Sequence, residues 1–280
     1  MSRERKKILD DNLTLVQLRA IAKERELTGY TKLLKKDLIA LLNTSVKEDK
    51  ITVKTTATVR HDNKYEKVIP QRNYTEEFLS LKKEGPTSYI RLAQLGKPGK
   101  EGTVFLVSHP DTMKKYAMKT FRKKKSGKTL EKEAFFQYLA SRKGISPKII
   151  EYNPEEKYIV METLNRTLMD IVKTQGTLTD NQQKQILELY RKLDSIGVML
   201  NDANPLNIME KDGRLYTIDY GFSKFTDHKD FNNYSYPNSQ LMPLGLLLWM
   251  KTRYPTKTWT IIRNSISPEV RLKMKLDEWE

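Results

Sequence analysis

The stretch from Leu200 to Phe222 limits what this chain can fold into more tightly than any other. It reads Leu200-Asn-Asp-Ala-Asn-Pro-Leu-Asn207, a turn signal at Asp212-Gly213, and Leu215-Tyr-Thr-Ile-Asp-Tyr-Gly-Phe222. Short apolar runs on either side of an Asp-Gly pair predict a strand-turn-strand. Asp219 follows Asn207 by twelve residues, the distance such a hairpin demands. A single aspartate is more often a turn or cap residue than a catalyst, so its meaning depends on what lies upstream.

Upstream, an apolar strand beginning at Ile90 enters the glycine-rich turn Leu95-Gly-Lys-Pro-Gly-Lys-Glu-Gly-Thr-Val104, and a second strand leaves it. Glycines let backbone amides approach phosphate oxygens that a side chain would obstruct, although a flexible hairpin loop would look the same. Next come a strand, Tyr116-Ala-Met-Lys-Thr-Phe121, and a helix carrying Glu131 and Glu133 ahead of Ala134-Phe-Phe-Gln-Tyr-Leu139. Either glutamate could pair with Lys119, with Glu133 favoured; acidic residues near a helix start also suit the macrodipole with no ligand at all. Lys157-Tyr-Ile-Val-Met-Glu-Thr-Leu164 reads as a buried strand leading into a connecting segment.

These elements, in this order and spacing, resemble the protein-kinase-like superfamily over residues 91–255. Asp202 and Asn207 match the catalytic-loop spacing, and Asp219-Tyr220-Gly221 stands for Asp-Phe-Gly. The resemblance implies an α+β, two-lobed fold, with an antiparallel-sheet N-lobe over a reduced helical C-lobe. It implies ATP and Mg²⁺ as cofactors and a protein, through a serine or threonine hydroxyl, as acceptor. Asp202 becomes the base, Asn207 and Asp219 the metal ligands, and Lys119 with Glu133 the holders of the phosphates. Nucleotide contacts fall on Gly96, Gly99, Gly102, Val104, Ala117, Lys119, Met161 at the gatekeeper position, Glu162, Leu164 and Met209.

The pattern also departs from the family. One extra residue separates Gly96 from Gly99, Leu200-Asn201 replaces the His-Arg before the catalytic aspartate, and no Ala-Pro-Glu follows Asp219-Tyr-Gly. Loss of that arginine argues against control by a phosphorylated activation loop. About twenty residues later comes Leu241-Met-Pro-Leu-Gly-Leu-Leu-Leu-Trp-Met250, which resembles the central helix of the larger lobe. The economy is that of RIO-type, viral or bacterial-effector kinases. The competing readings are a pseudokinase or nucleic-acid-binding scaffold and a small-molecule phosphotransferase.

Ahead of the kinase-like region, Leu15-Val16-Leu18-Ile21-Ala22 and Leu33-Leu34-Leu38-Ile39-Leu41-Leu42 recur at helical spacing on either side of Gly29-Tyr30-Thr31. Thr14 and Thr31 are the expected N-caps of the two helices. The segment resembles the small helical domain at the N-terminus of transcription terminator Rho and, more loosely, SAP domains, which implies DNA or RNA as a partner. Arg19, Lys23, Arg25, Lys32, Lys35 and Lys36 would then track phosphates, although interleaved acidic residues suit a protein-docking or structural role equally. Ser45 to Asn73 is polar, with one alternating stretch at Ile51–Val59, and reads as a linker; Tyr74 to Glu84 reads as a short helix ended by Gly85-Pro86. The expected domains are 1–45, a linker at 46–73, an N-lobe and hinge at 74–164 and a C-lobe at 165–280.

Lys and Arg outnumber Asp and Glu by 51 to 35, a formal charge of +16 that favours polyanionic partners. Basic residues crowd Arg122-Lys-Lys-Lys-Ser-Gly-Lys128, which reads as a solvated turn or as part of a nucleic-acid face. The absence of cysteine excludes disulfides and thiolate metal sites, and the three histidines show no metal-ligand spacing. No apolar core of a secretory signal follows Met1, and the longest apolar run is about half the roughly 20 residues that span a bilayer. A cytoplasmic or nuclear site of action, with no membrane partner, is the expectation.

Overall fold

Residues 33–44, 71–227 and 236–273, with the single positions Leu15, Leu18, Arg19 and Ala22, are described in a computed structural model. The chain divides into two compact units, Met1–Lys64 and Tyr65–Glu280. In the first, helix α1 (Lys35–Thr44) contributes Leu38 and Leu42, four residues apart on one helical face, to a small core with Leu18 and Ala22. Leu15, Leu33 and Ile39 pack around it. The expected break at Gly29-Tyr30-Thr31, the caps Thr14 and Thr31, and linker residues 45–70 lie outside the described residues.

The second unit begins with a short helix, α2 (Glu76–Leu79), capped by Thr75, whose hydroxyl accepts from the Phe78 amide at 3.1 Å. The sequence predicts a helix on to Glu84, but the chain leaves it to pair with a strand. Lys83 N donates to Tyr152 O at 2.9 Å, and Tyr152 N donates to Leu81 O at 3.0 Å. Those two bonds satisfy groups that a continuing helix would otherwise use.

Five strands, β1 (Ile90–Leu95), β2 (Gly102–Ser108), β3 (Lys115–Phe121), β4 (Ile149–Asn153) and β5 (Tyr158–Met161), form an antiparallel sheet in the order β1-β2-β3-β5-β4. Helix α3 (Gly127–Arg142) starts at Ser126, whose side chain accepts from the Thr129 amide, and packs along β4. From Glu133 to Ala140 every residue of α3 is buried, because aromatic neighbours close on it from two sides. Phe135 meets Phe78 of α2 at 5.1 Å, and Phe136 meets Phe225 of the lower lobe at 4.9 Å.

The lower lobe follows Met161. A two-residue strand β6 (Arg166–Thr167) leads into α4 (Leu168–Gln175) and α5 (Asp180–Ser195), both opened by reciprocal capping boxes, Thr167 with Asp170 and Thr179 with Gln182. Ile186, Leu189, Tyr190 and Leu193 give α5 its apolar stripe. After β7 (Val198–Met199) come a 3₁₀ turn at Pro205–Asn207, the hairpin β8 (Ile208–Lys211) and β9 (Arg214–Thr217), and β10 (Lys224–Phe225), which pairs with β7. The hairpin turns through Asp212 and Gly213, both at positive φ, as a two-residue type I′ connection requires.

Helix α6 (Asn238–Met250) is apolar on nearly all sides and sits in the lobe's core; α7 (Thr260–Ser265) and α8 (Pro268–Lys273) close it, with Trp259 fully buried. One continuous hydrophobic cluster runs from Phe78 and α3 through α5 to α6 and Val270, so the two lobes share a core. No helix among the described residues is long and apolar enough to cross a membrane. The fold is the expected α+β, two-lobed one, an antiparallel sheet joined to a helical lobe.

Candidate active site

The sheet places Lys119 in the middle of β3, opposite Val104 on β2 and Ile159 on β5. Its ammonium meets Glu133 Oε1 of α3 at 2.7 Å and Asp219 Oδ1 at 2.9 Å. Burial works against the lysine's charge, but the two carboxylates outweigh it and hold the group above the ordinary lysine range. Burial likewise pushes Asp219 up, while the charge and hydrogen bond of Lys119 more than reverse this and keep the carboxyl below its ordinary value. Glu133 is thus the partner of Lys119; Glu131 instead accepts from the Tyr152 hydroxyl at 3.3 Å.

The lower half of the site is built by the β8–β9 hairpin. Ile208 pairs with Thr217, and Ile218 N donates to Asn207 O at 2.9 Å. Asn207 and Asp219 therefore leave the hairpin at the same end. Within the preceding loop, Asp202 Oδ2 accepts from Asn207 Nδ2 at 2.8 Å and its Oδ1 from the Asn204 amide at 3.1 Å. Asn204, in turn, caps the 3₁₀ turn by accepting from Leu206 N at 3.0 Å. Asp202 and Asn207 are brought together by one bond, and Lys119, Glu133 and Asp219 by two. Asn201 and Asp219 both hold a left-handed backbone, φ 60° and 61°, which costs a non-glycine residue about 1 kcal/mol or more.

Tyr220 stands where the family has phenylalanine. It is buried, and its hydroxyl is hydrogen-bonded to Thr217 Oγ1, which also donates to Ile145 O at 2.9 Å. A buried phenol needs such a partner, and this one ties the Asp-Tyr-Gly turn to the segment after α3.

The residues expected to contact a nucleotide are spread over the glycine-rich turn, β2, β3, the end of β5, the segment after it and β8. Gly99 N donates to Gly102 O at 2.8 Å and closes the glycine-rich turn between β1 and β2. A side chain at Gly102 would stand 2.1 Å from Thr120 O, so glycine is obligatory where β2 meets β3. Ala117 lies directly across from Met161 in the sheet, and Gln137 Nε2 lies 3.3 Å from the Met161 sulfur. Glu162 is tied at both ends to Lys148, its amide donating to Lys148 O at 3.0 Å and its carboxylate accepting from Lys148 N at 3.2 Å. Leu164 is partly buried after it, and Met209 lies on β8 opposite Thr167 and Tyr216.

Three features escaped the sequence reading. Asn238, at the start of α6, accepts from Leu200 N at 2.9 Å and donates to Val198 O at 2.7 Å, while Asp194 accepts from its amide, its side chain and Ser239 N. Lys125 is not solvated like its neighbours: its ammonium lies 2.6 Å from Glu101 Oε2 and 2.5 Å from Glu133 Oε2, with its side chain 7% exposed. Glu101, Glu133 and Asp219 consequently bring one carboxylate oxygen each to within 4.8 Å of the others. No short-range spacing links these residues, so no pattern in the sequence announces them.

Gly245 of α6 supports the loop from below. A Cβ there would stand 2.6 Å from that of Ala203, between Asn201 and Asp202 on one side and Asn204 on the other. Gly245→Ala should destabilise the protein by about 1–3 kcal/mol through overpacking, and Ala203→Gly in the same chain should recover most of the loss in a denaturant titration. Independent, additive losses would show that the two positions do not press on one another.

Sheet over helices, with an ion-paired lysine where they meet, is the architecture of the kinase-like fold class. A protein kinase domain model matches residues 89–242, more than half of the chain, and the chain belongs to that family. A model of the Rho termination factor N-terminal domain matches residues 11–49. A Dictyostelium discoideum protein named as a probable myosin light chain kinase is 32% identical over 142 residues, which cover 47% of this chain and 45% of that protein. The match thus spans less than half the relative's length. Protein kinase activity in general is what this membership supports.

Proposed function

We propose that the chain transfers the γ-phosphoryl group of ATP to a serine or threonine hydroxyl of a protein, with Asp202 taking the hydroxyl proton. The observation that carries this reading is the pairing of Lys119 with Glu133 and Asp219 at 2.7 and 2.9 Å, which fixes a cation where phosphates would need one. Phosphoryl transfer is mainly positioning and charge neutralisation, so a rigid lysine beside a carboxylate is the chemistry it requires.

The donor set fits Mg²⁺, a hard cation that takes oxygen ligands. Asp219 offers a carboxylate. Asn207 spends its amide nitrogen on Asp202, which leaves its oxygen for a cation. When bound, the metal would neutralise phosphate charge. Asp202, held by the Asn204 amide, keeps a carboxylate in place for the acceptor hydroxyl. The kinase named after myosin light chain favours a protein as acceptor. The Rho-type segment, with Arg19, Lys35 and Lys36 among its basic residues, favours DNA or RNA as what tethers the enzyme. Division into a helical domain at 1–45, a linker at 46–73 and lobes at 74–164 and 165–280 belongs to the same proposal.

Incubation with γ-labelled ATP and Mg²⁺, alone and with a basic or acidic protein, tests this directly. Label should appear in protein and vanish in Lys119→Ala and Asp219→Ala. Label that survives both substitutions, or none in the wild type with any protein tested, would remove the assignment.

A further inference from the structure

We propose that Lys125 is a positioning residue for the nucleotide: with Glu101 it latches the glycine-rich turn onto the Lys119–Glu133 pair and the Asp219-Tyr-Gly turn. This rests on the phosphotransfer reading above and adds the device that closes the turn over the phosphates.

Lys125 belongs to a basic run whose other lysines and arginine before the helix, Arg122, Lys123 and Lys124, are exposed. Its own ammonium turns inward across the Phe121 ring, 4.5 Å from the ring centre. An ammonium removed from water costs several kcal/mol unless anions meet it, so its two partners are obligatory rather than incidental. Glu133 is shared in an ordered way: Oε1 faces Lys119 and Oε2 faces Lys125. A carboxylate held by one cation can rotate about its terminal bond; one held at both oxygens cannot. Lys125 therefore fixes the plane in which Glu133 presents itself to Lys119.

The other partner, Glu101, lies in the glycine-rich turn immediately before Gly102. Its Oε2 is drawn in to 3.0 Å from where a Cβ on Gly221 would stand, so the turn is seated against Asp219-Tyr-Gly. Backbone bonds follow the same path. Arg122 N donates to Glu101 O at 2.9 Å, Arg122 Nη2 donates to Gly99 O at 3.1 Å, and Lys125 N donates to Arg122 O at 3.0 Å. The loop after β3 and the glycine-rich turn are thus bonded to one another, with Lys125 as the inner pin. Glu101 would repel phosphates if unpaired; its ion pair with Lys125 offsets that charge while keeping the turn seated.

Lys125→Met and Glu101→Gln should each raise the KM for ATP by about tenfold or more, the scale of one lost charged hydrogen bond, with kcat at saturating ATP changed much less. The double variant should show no larger effect than the stronger single one, because both substitutions open the same latch. Equilibrium binding of a fluorescent ATP analogue should weaken in parallel. Glu101 is only partly buried, its side chain 37% exposed against 7% for Lys125, so Glu101→Gln keeps the test intact should Lys125→Met fail to fold. An unchanged KM in Glu101→Gln, a fall in kcat alone, or additive effects would overturn the latch while leaving the phosphotransfer reading standing. A wild-type protein that binds no nucleotide would overturn both.

Discussion

Asp202→Ala should lower turnover by about 10²–10⁴-fold, the usual contribution of a positioned general base, while leaving the KM for ATP close to that of the wild type. The split follows from the bonds. Asp202 touches Asn204 and Asn207 in its own loop, whereas Lys119, Glu133 and Asp219 form a separate ion-paired group. Asp202→Asn sharpens the result, since an amide keeps one acceptor for the Asn204 N-H yet cannot accept the substrate proton. Steady-state kinetics should place both variants near the same low kcat. Wild-type turnover in either one would mean that another group takes the proton.

Glu133→Ala should cost more stability than any other single change in the site, about 3–5 kcal/mol, and more than Lys119→Ala. Glu133 is 2% exposed and answers two ammoniums whose side chains are 13% and 7% exposed. Removing it strips each lysine of its buried partner and leaves only Asp219 and Glu101, which are 40% and 37% exposed. Removing Lys119 instead leaves Glu133 still paired with Lys125. Urea denaturation of the two variants decides the order; an equal or smaller loss in Glu133→Ala would show that the outer carboxylates suffice.

What could be read before the structure was known divides along a physical line. The closeness of Asn207 to Asp219 was legible because a hairpin of set length converts sequence separation into proximity, and Asp212-Gly213 marks its turn. Lys119 was legible from its strand. The preference for Glu133 agrees with the observed ion pair, although Glu131 is only two residues away; that separation puts the two side chains on different faces of α3. The leucine spacing around Leu38 and Leu42 correctly marked a helical face. Lys125 was not legible, because inside a basic run nothing local distinguishes a lysine that turns inward. The early end of α2 was hidden for a similar reason: its helical residues are outcompeted by bonds to Tyr152, about seventy positions further along the chain. Asp194 and Asn238 meet across more than forty residues, and neither carries a local signal.

That last contact governs how the lower lobe breathes. The Leu200 amide is donated to a side chain that is fully buried and is itself held by Asp194 at the end of α5. Solvent can reach that hydrogen only when α5, β7 and α6 come apart together, an event with the free energy of large-scale rather than local unfolding. The stretch that carries Asp202 is thereby moored to the buried core of the lower lobe, and the Leu200 amide should exchange with solvent far more slowly than the exposed amides of the glycine-rich turn.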